Sequence, residues 1–143
     1  MERAIDHSIS DEAAAQFFVK LKKELNCKST RKIVTLVRVI MSKIRINYTA
    51  QQLTAIVSKT PSWFHLLMLG NWQAGDGKEI HHLDELVDEI TRSAQLRDSG
   101  FARSEIEGLS CVIVVLSSIH QLFMSAGINP LNFTLSNELA YAL

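Results

Sequence analysis

The sequence contains few of the residues that interrupt or cross-link a chain. Its 143 residues include only 2 prolines, 6 glycines and 2 cysteines, while 47% are hydrophobic. This composition excludes a disordered segment and favours regular secondary structure with a packed core. Cys27 and Cys111 belong to no CxxC pair and have no histidine at ligand spacing, so neither a disulfide framework nor a zinc site is predicted. We expect both cysteines to be small core residues in a reducing compartment.

Sequence signatures of catalysis are also missing. There is no GxSxG elbow, no HExxH pair and no phosphate-binding glycine loop, and the segment from Gly70 to Gly75 does not follow a predicted strand. His120 lies inside an apolar run, where a histidine is typically a hydrogen-bonded core or interface residue. We therefore predict a protein that is not an enzyme and has no cofactor.

No apolar signal region occurs at the N-terminus, so we expect a cytoplasmic protein. The uncharged run from Leu109 to Ile128 is long enough to be considered as a membrane span. Polar residues such as Ser117 and Gln121 interrupt it, and no lysine or arginine flanks its C-terminal end. These features favour a buried central helix and no membrane partner.

Two long helices are predicted in the first half of the chain. Ser10 followed by two acidic residues is a helix start, and the apolar spacing then continues to about Leu25. After a turn, Ser29 or Thr30 caps a second helix that runs to about Ile46.

Two short helices follow. Thr49 and Gln52 have the spacing of a capping box. Thr60-Pro61 then opens a strongly apolar helix that Gly70 ends.

The same apolar pattern recurs after a glycine-containing loop, with an offset of 69 and later of 75 residues. Ala14, Phe17, Phe18, Leu21 and Leu25 recur as Leu83, Leu86, Val87, Ile90 and Ala94, and Leu36, Val37, Ile40, Met41 and Ile44 recur as Cys111, Val112, Val115, Leu116 and Ile119. An order of two long helices followed by two short helices is thus predicted twice. We predict an all-α, single-domain bundle (residues 1–143) of about eight helices, formed by two similar four-helix units at about residues 10–70 and 80–143.

These residues resemble a known family. The order of a Phe17-Phe18 helix, a long helix, Thr49-Ala50-Gln51-Gln52-Leu53 and a closing Gly70-Asn71-Trp72 is similar to an uncharacterised bacterial domain family built from a duplicated all-helical unit. The family usually has Leu-Pro where this chain has Thr60-Pro61, and the second copy lacks the tryptophan. The resemblance implies the fold and no activity, and it transfers no catalytic or binding residue.

One acidic segment contains residue types that can bind a metal ion. His81 and His82 precede Asp84, Glu85, Asp88 and Glu89, and some of these side chains could project along one helix. The alternative is the acidic first turns of an ordinary solvated helix, as the helix dipole favours. No convergent second set of ligands is evident, so we predict no metal.

The charges are unevenly distributed although their sum is zero. Residues 1–70 hold 11 Lys and Arg against 5 Asp and Glu, whereas residues 71–143 hold 4 against 10. The two halves should attract each other, within one chain or between chains. One alternative function is nucleic-acid binding by the basic helices, through Lys20, Lys23, Arg31, Arg38, Lys43 and Arg45.

The function that we predict is a non-enzymatic protein-interaction or scaffold module that docks a partner protein or forms a homo-oligomer. The short apolar helix that begins near Trp63 should leave one face in solvent, and Trp63, Met68 and Trp72 are the candidate partner-binding residues. The basic and acidic halves would set the orientation of the partner.

Overall fold

The chain is all-helical. A computed structural model describes residues 9–44, 50–64, 80, 82–92, 104–128, 131 and 133–142, and these residues form helices and connecting turns without a strand. The helices are α1 (Asp11–Glu24), α2 (Thr30–Ile44), α3 (Ala50–Lys59), α4 (Leu83–Thr91), α5 (Glu105–Met124) and α6 (Phe133–Ala142). Residues 62–64 are also helical. The predicted all-α class is confirmed.

Local capping signals fix both ends of α1. The Ser10 hydroxyl accepts a hydrogen bond from the Ala13 N–H at 3.0 Å, as predicted for an N-cap. At the other end Asn26 has a φ of 51°, and the Cys27 N–H donates back to the Lys22 carbonyl at 2.9 Å. This left-handed closure satisfies the carbonyls of the last turn and reverses the chain toward α2.

Helix α2 begins at a serine cap and is strongly amphipathic. The Ser29 hydroxyl accepts a hydrogen bond from the Lys32 N–H at 3.3 Å, so Ser29, rather than Thr30, caps α2. The apolar stripe of α2 is buried, whereas Arg31, Lys32 and Arg38 are exposed.

Helix α5 is the central element of the bundle. It contacts α1, α2, α4 and α6, and α2 in turn contacts α1 and α4. The Ser104 hydroxyl caps α5 by accepting from the Glu107 N–H at 3.1 Å. By length and composition α5 could cross a membrane, but 44% of its most apolar 18-residue window is buried inside the protein. The core helix of a soluble protein has these same properties.

A Schellman-type closure ends α5. Gly127 has a φ of 77°, which a residue with a Cβ rarely adopts, and the Ile128 N–H donates to the Phe123 carbonyl at 2.9 Å. The offset of 75 would place a counterpart of α3 from Ser125 onward, but residues 125–127 form this turn and the next described helix begins at Phe133. Residues 125–128 and 131 are therefore not helical where the repeat pattern places the counterpart of α3.

A single hydrophobic cluster joins the described elements. It includes residues of α1, α2, α4, α5 and α6, together with Ile56 of α3, Phe64 and Ile80. Leu36, Ile40, Leu86, Val115 and Leu116 have no exposed surface at all. The predicted apolar stripes thus face one common core.

Candidate functional site

An aromatic cluster anchors the short helical turn after α3. Phe64 is 1% exposed, and its ring packs edge-to-face on Phe17 of α1 at 5.8 Å and on Phe123 of α5 at 6.5 Å between centroids. Phe18 lies 5.9 Å from the same ring. Such pairs favour edge-to-face geometry because the rim of one ring is positive and the face of the other is negative. Phe64 therefore ties the turn to both α1 and α5.

Trp63 lies at the outer edge of this cluster and is 43% exposed. Its indole packs on Phe64 at 5.6 Å and on Phe18 at 6.3 Å between centroids. The indole Nε1–H donates to Asp11 Oδ1 at 2.9 Å. The ring is thus held on one face and by its polar edge, while much of its remaining surface meets solvent.

The part of α1 beside Trp63 extends this exposed apolar area. Trp63 contacts Asp11 and Phe18, which are seven residues apart and so lie along one side of the helix. Ala15 and Val19 follow Asp11 at helical spacing, and both are exposed, Val19 at 57%. We call Trp63, Ala15 and Val19 the Trp63 surface. Of the other predicted partner-binding residues, Met68 and Trp72 lie outside the described residues.

The six predicted nucleic-acid-binding residues have different surroundings. Lys20 donates to Gln121 Oε1 at 2.9 Å and lies 3.7 Å from Glu24. Lys43 forms an ion pair with Glu89 of α4 at 3.4 Å. Both lysines are therefore engaged within the chain, and Lys43 joins the basic half to the acidic half.

The other predicted cations face solvent. Lys23, Arg31 and Arg38 are exposed, and none has a carboxylate partner among the residues that the structure describes. Arg45 lies outside the described residues. Of the five described positions, Lys20 and Lys43 thus contact polar groups of the same chain, whereas Lys23, Arg31 and Arg38 face solvent.

An open groove lies where α4 and α5 begin and α6 ends. Its volume is about 540 Å³, and it is lined by His82, Leu83, Asp84, Glu85, Leu109 and Glu138. Leu83 and Leu109 are its apolar residues, and three carboxylates surround them. We call these six residues the acidic groove.

Glu138 connects two of the helices around the groove. Its Oε1 accepts from the Leu83 N–H at 2.6 Å, and its Oε2 lies 3.2 Å from His82 Nδ1. His82 occupies the N-cap position of α4 but makes no side-chain capping bond there. A carboxylate from α6 therefore satisfies an amide at the positive end of α4, where negative charge is favourable.

The same contact raises the pKa of His82 above its ordinary value of 6.5, mainly because the imidazole donates a hydrogen bond to Glu138 and also because other carboxylates are near. The protonated imidazole is the form that the carboxylate stabilises. The stabilising contribution of this pair is therefore complete below pH 6.5 and is lost as the pH rises through the higher pKa of the folded protein.

We predict that Glu138→Gln lowers the pKa of His82 toward 6.5. An NMR titration of the His82 ring protons measures this value in both proteins. Glu24→Gln, which removes an exposed carboxylate that pairs with Lys20, is the matched control and should leave the His82 titration unchanged. A wild-type pKa at or below 6.5, or one that Glu138→Gln does not lower, would contradict the contact.

The other candidate chemical groups occupy ordinary positions. Burial in α5, with a smaller effect of Glu107, raises the pKa of the Cys111 thiol to about 11, which keeps it protonated at neutral pH. Within the described ranges, no three His, Cys, Asp or Glu side chains are arranged to hold a metal ion. His81, which belongs to the acidic segment with candidate metal ligands, lies outside those ranges. Glu89 pairs with Lys43, and Asp88 pairs with Arg92 at 2.8 Å.

No family model, curated protein or solved structure matches this chain. The similarity to a duplicated helical family therefore stays a prediction from the residues.

Two of the contacts described above have no signature in the sequence. The residues of the Trp63–Asp11 bond are 52 positions apart, and those of the Leu83–Glu138 bond are 55 apart. The short, strongly apolar helix predicted after Pro61 made Trp63 a candidate, but nothing near Glu138 indicated that it caps α4.

Proposed function

We propose that this chain is a non-enzymatic protein-interaction module that docks a partner protein through the Trp63 surface. One observation carries the proposal. The Trp63 indole is 43% exposed although three neighbours hold it in place. A large apolar side chain that faces solvent from a fixed position is the kind of residue that contributes most to protein interfaces.

The fixed position matters because binding otherwise costs conformational entropy. An indole that is already packed on Phe64 and hydrogen-bonded to Asp11 loses little freedom when a partner covers it. The neighbouring Ala15 and Val19 enlarge the apolar area, and the exposed acidic Asp11 and Glu12 provide a polar rim. This combination supports a docking surface of the usual type, with an apolar centre and a charged edge.

The charge distribution supports a defined orientation of the partner. Exposed cations of α1 and α2 belong to the basic half, and the acidic groove belongs to the other half. Lys43 and Glu89 neutralise each other where the halves meet, so the unpaired charges lie away from this junction. Complementary charges on a partner would select one orientation and raise the association rate.

Trp63→Ala should weaken binding of the partner at least about tenfold, because a central aromatic anchor contributes about 2 kcal/mol or more. Affinity purification from cells that express the protein, with quantitative mass spectrometry, identifies what the wild type retains and the variant loses. Tyr141→Ala is the control, since Tyr141 is 92% exposed and lies on α6, outside the Trp63 surface. A thermal melt of each variant separates lost binding from lost structure.

Two results would contradict the proposal. One is a wild-type chain that retains no protein above the level of the Trp63→Ala variant. The other is equal loss with Trp63→Ala and Tyr141→Ala, which would mean that the position of the aromatic residue is unimportant.

Nucleic-acid binding is the second candidate function. The exposure of Lys23, Arg31 and Arg38, without carboxylate partners among the described residues, favours it. Binding of this type releases counterions and weakens as salt rises. A salt-sensitive gel shift that Arg31→Glu with Arg38→Glu abolishes, while Trp63→Ala leaves it intact, would favour this candidate over protein docking.

We also infer that the bundle derives from two similar units of four helices each, as in the family that the sequence resembles. The burial pattern supports this: wherever both members of a pair are described, matched positions are buried in both halves. At the offset of 69 these pairs are Ala14 and Leu83, Phe17 and Leu86, Phe18 and Val87, and Leu21 and Ile90; at 75 they include Leu36 and Cys111, Ile40 and Val115, Ile56 and Leu131, and Phe64 and Leu139.

The helix contacts support the same relation. If α1 corresponds to α4 and α2 corresponds to α5, the α1–α2 contact corresponds to the α4–α5 contact. The α1–α5 contact likewise corresponds to the α4–α2 contact, and all four contacts occur. A crystal structure in which α1 and α2 superpose on α4 and α5 would support this inference, and one in which the two pairs pack differently would contradict it.

A further inference from the structure

We infer that the acidic groove is a docking site for a second copy of this chain, which enters it with the basic turn between α1 and α2. The basic turn is defined as Lys22, Lys23, Lys28, Arg31 and Lys32. This contact uses residues other than the Trp63 surface and does not depend on the function proposed for that surface.

The groove has apolar surface that a partner could cover. Leu109 is 37% exposed inside it. One helical turn away on α5 lies Ile106, which is 79% exposed. Two exposed, large apolar side chains near the start of a helix, with charged residues beside them, are typical of an interaction surface.

Two carboxylates of the groove, Asp84 and Glu85, lack a cationic partner within the described part of the chain. The ion pairs found there are Lys20 with Glu24, Lys43 with Glu89, Arg92 with Asp88, and His82 with Glu138. None of them involves Asp84 or Glu85. The groove therefore keeps a net negative charge even when His82 is protonated.

The hydrogen bond from Lys20 of α1 to α5 lies far from the groove. Lys20 reaches Gln121 in the last turns of α5, whereas the groove is lined by Leu109 in its second turn. Twelve residues of helix separate these positions by about 18 Å. Lys20 is therefore held at the opposite end of α5 and does not neutralise the groove of its own chain.

The basic turn has complementary charge and a fixed shape. Its five cations have no carboxylate partner among the residues described. The Lys22 ammonium donates to the Thr30 hydroxyl at 3.0 Å, and the left-handed Asn26 closes α1, so both helix ends are joined at the turn. The aliphatic stems of lysines can cover Leu109 and Ile106 while their ammonium groups reach Asp84 and Glu85.

A second copy fits these charges better than an unrelated basic protein of high net charge. The halves carry 11 cations against 5 anions and 4 against 10, so the whole chain is neutral and two copies have no net repulsion. When the basic turn of one copy lies in the acidic groove of another, opposite charges come together and the assembly stays neutral. The contact joins different surfaces of the two copies, so it closes a ring or extends a chain of copies.

Charge exchange between two variants tests the contact. The groove variant is Asp84→Lys with Glu85→Lys, and the turn variant is Lys23→Glu with Arg31→Glu. Sedimentation equilibrium of the full chain should show wild-type self-association at an ionic strength of about 0.01 M that weakens near about 1 M, where the screening length falls from roughly 30 Å to roughly 3 Å. Each variant alone should associate at least about tenfold more weakly than the wild type. An equimolar mixture should associate again, because the turn of the first variant meets the unchanged groove of the second.

The controls separate this contact from other causes. Asp88→Lys makes the same acid-to-lysine change at an exposed residue outside both the groove and the Trp63 surface, and it should associate as the wild type does. Far-UV circular dichroism checks that each variant is folded, and Glu138 is left unchanged because it caps α4. Trp63→Ala should keep the self-association, which distinguishes this contact from the function proposed for Trp63.

Four results would overturn the inference. They are a wild-type chain that stays monomeric at low ionic strength, association that salt does not weaken, a groove or turn variant that associates like the wild type, and a mixture that does not recover. Self-association that Trp63→Ala removes, and that the groove and turn variants keep, would assign the contact to the Trp63 surface instead.

Discussion

Replacing Val115 with aspartate is expected to unfold most of the chain. Val115 has no exposed surface and lies in the middle of α5, which contacts four other helices. A carboxylate at this position would be buried without a partner and would cost at least about 4 kcal/mol, out of a total stability of about 5–15 kcal/mol. Urea denaturation followed by circular dichroism measures the loss.

The matched control is Ile106→Asp on the same helix. Ile106 is a β-branched residue that is 79% exposed, so the same change in chemistry should alter the free energy of unfolding by less than about 0.5 kcal/mol. Equal effects at the two positions would mean that α5 is not the buried centre of the bundle. Because protonation removes the buried charge, Val115→Asp should also recover stability as the pH is lowered.

Phe64→Ala is expected to lower the free energy of unfolding by about 3–5 kcal/mol, the usual cost of removing a fully buried aromatic ring. Phe64 is 1% exposed and joins the turn after α3 to α1 and α5. Its loss should also release Trp63, whose indole packs on the same ring at 5.6 Å. Denaturation curves give the stability, and tryptophan fluorescence under native conditions reports the change around the indole.

Tyr141→Ala provides the comparison, because it removes an aromatic ring that is 92% exposed and should change stability by less than about 0.5 kcal/mol. A Phe64→Ala protein as stable as Tyr141→Ala would exclude the aromatic cluster as a structural centre. It would also remove the reason for regarding Trp63 as a fixed anchor.

Local features of the fold were predictable because they depend on neighbouring residues. Ser10 caps α1 by bonding an amide three residues later, and an N-cap oxygen followed by acidic residues is recognisable in any sequence. The turn at Asn26 was likewise predictable, since asparagine tolerates the left-handed conformation found there. The buried stripes follow from helical spacing alone.

Contacts between distant residues were not predictable in the same way. Glu138 looks like any solvated carboxylate in the sequence, and only the packing of α6 against α4 brings it to the Leu83 amide. A threonine directly before a proline predicts a cap for the following helix, but Thr60 is buried, and its hydroxyl donates to the Ile56 carbonyl near the end of α3. The physical reason is that a buried hydroxyl must bond to whichever carbonyl the fold presents.

In the candidate sites, too, local sequence predicts some features, whereas contacts between distant residues depend on packing. A short helix that is apolar on all sides should leave one face in solvent, which makes Trp63 a candidate binding residue. In the structure Trp63 is partly exposed. The basic pattern predicts Lys20 and Lys43 as nucleic-acid contacts, and it does not predict their bonds to Gln121 and Glu89, residues that packing brings next to them. The acidic groove was not anticipated, because its residues come from three helices that are separated in the sequence.

The indole N–H resonance of Trp63 gives the most direct test of the central claim, that this chain docks a partner protein through a fixed, exposed tryptophan. Trp63→Phe assigns the resonance in a ¹⁵N–¹H correlation spectrum, since the chain has 2 tryptophans. We predict that adding the partner recovered by affinity purification shifts or broadens the Trp63 indole signal, and that Trp63→Ala weakens this binding. A Trp63 signal that stays in place while the partner binds with unchanged affinity to Trp63→Ala would contradict the claim.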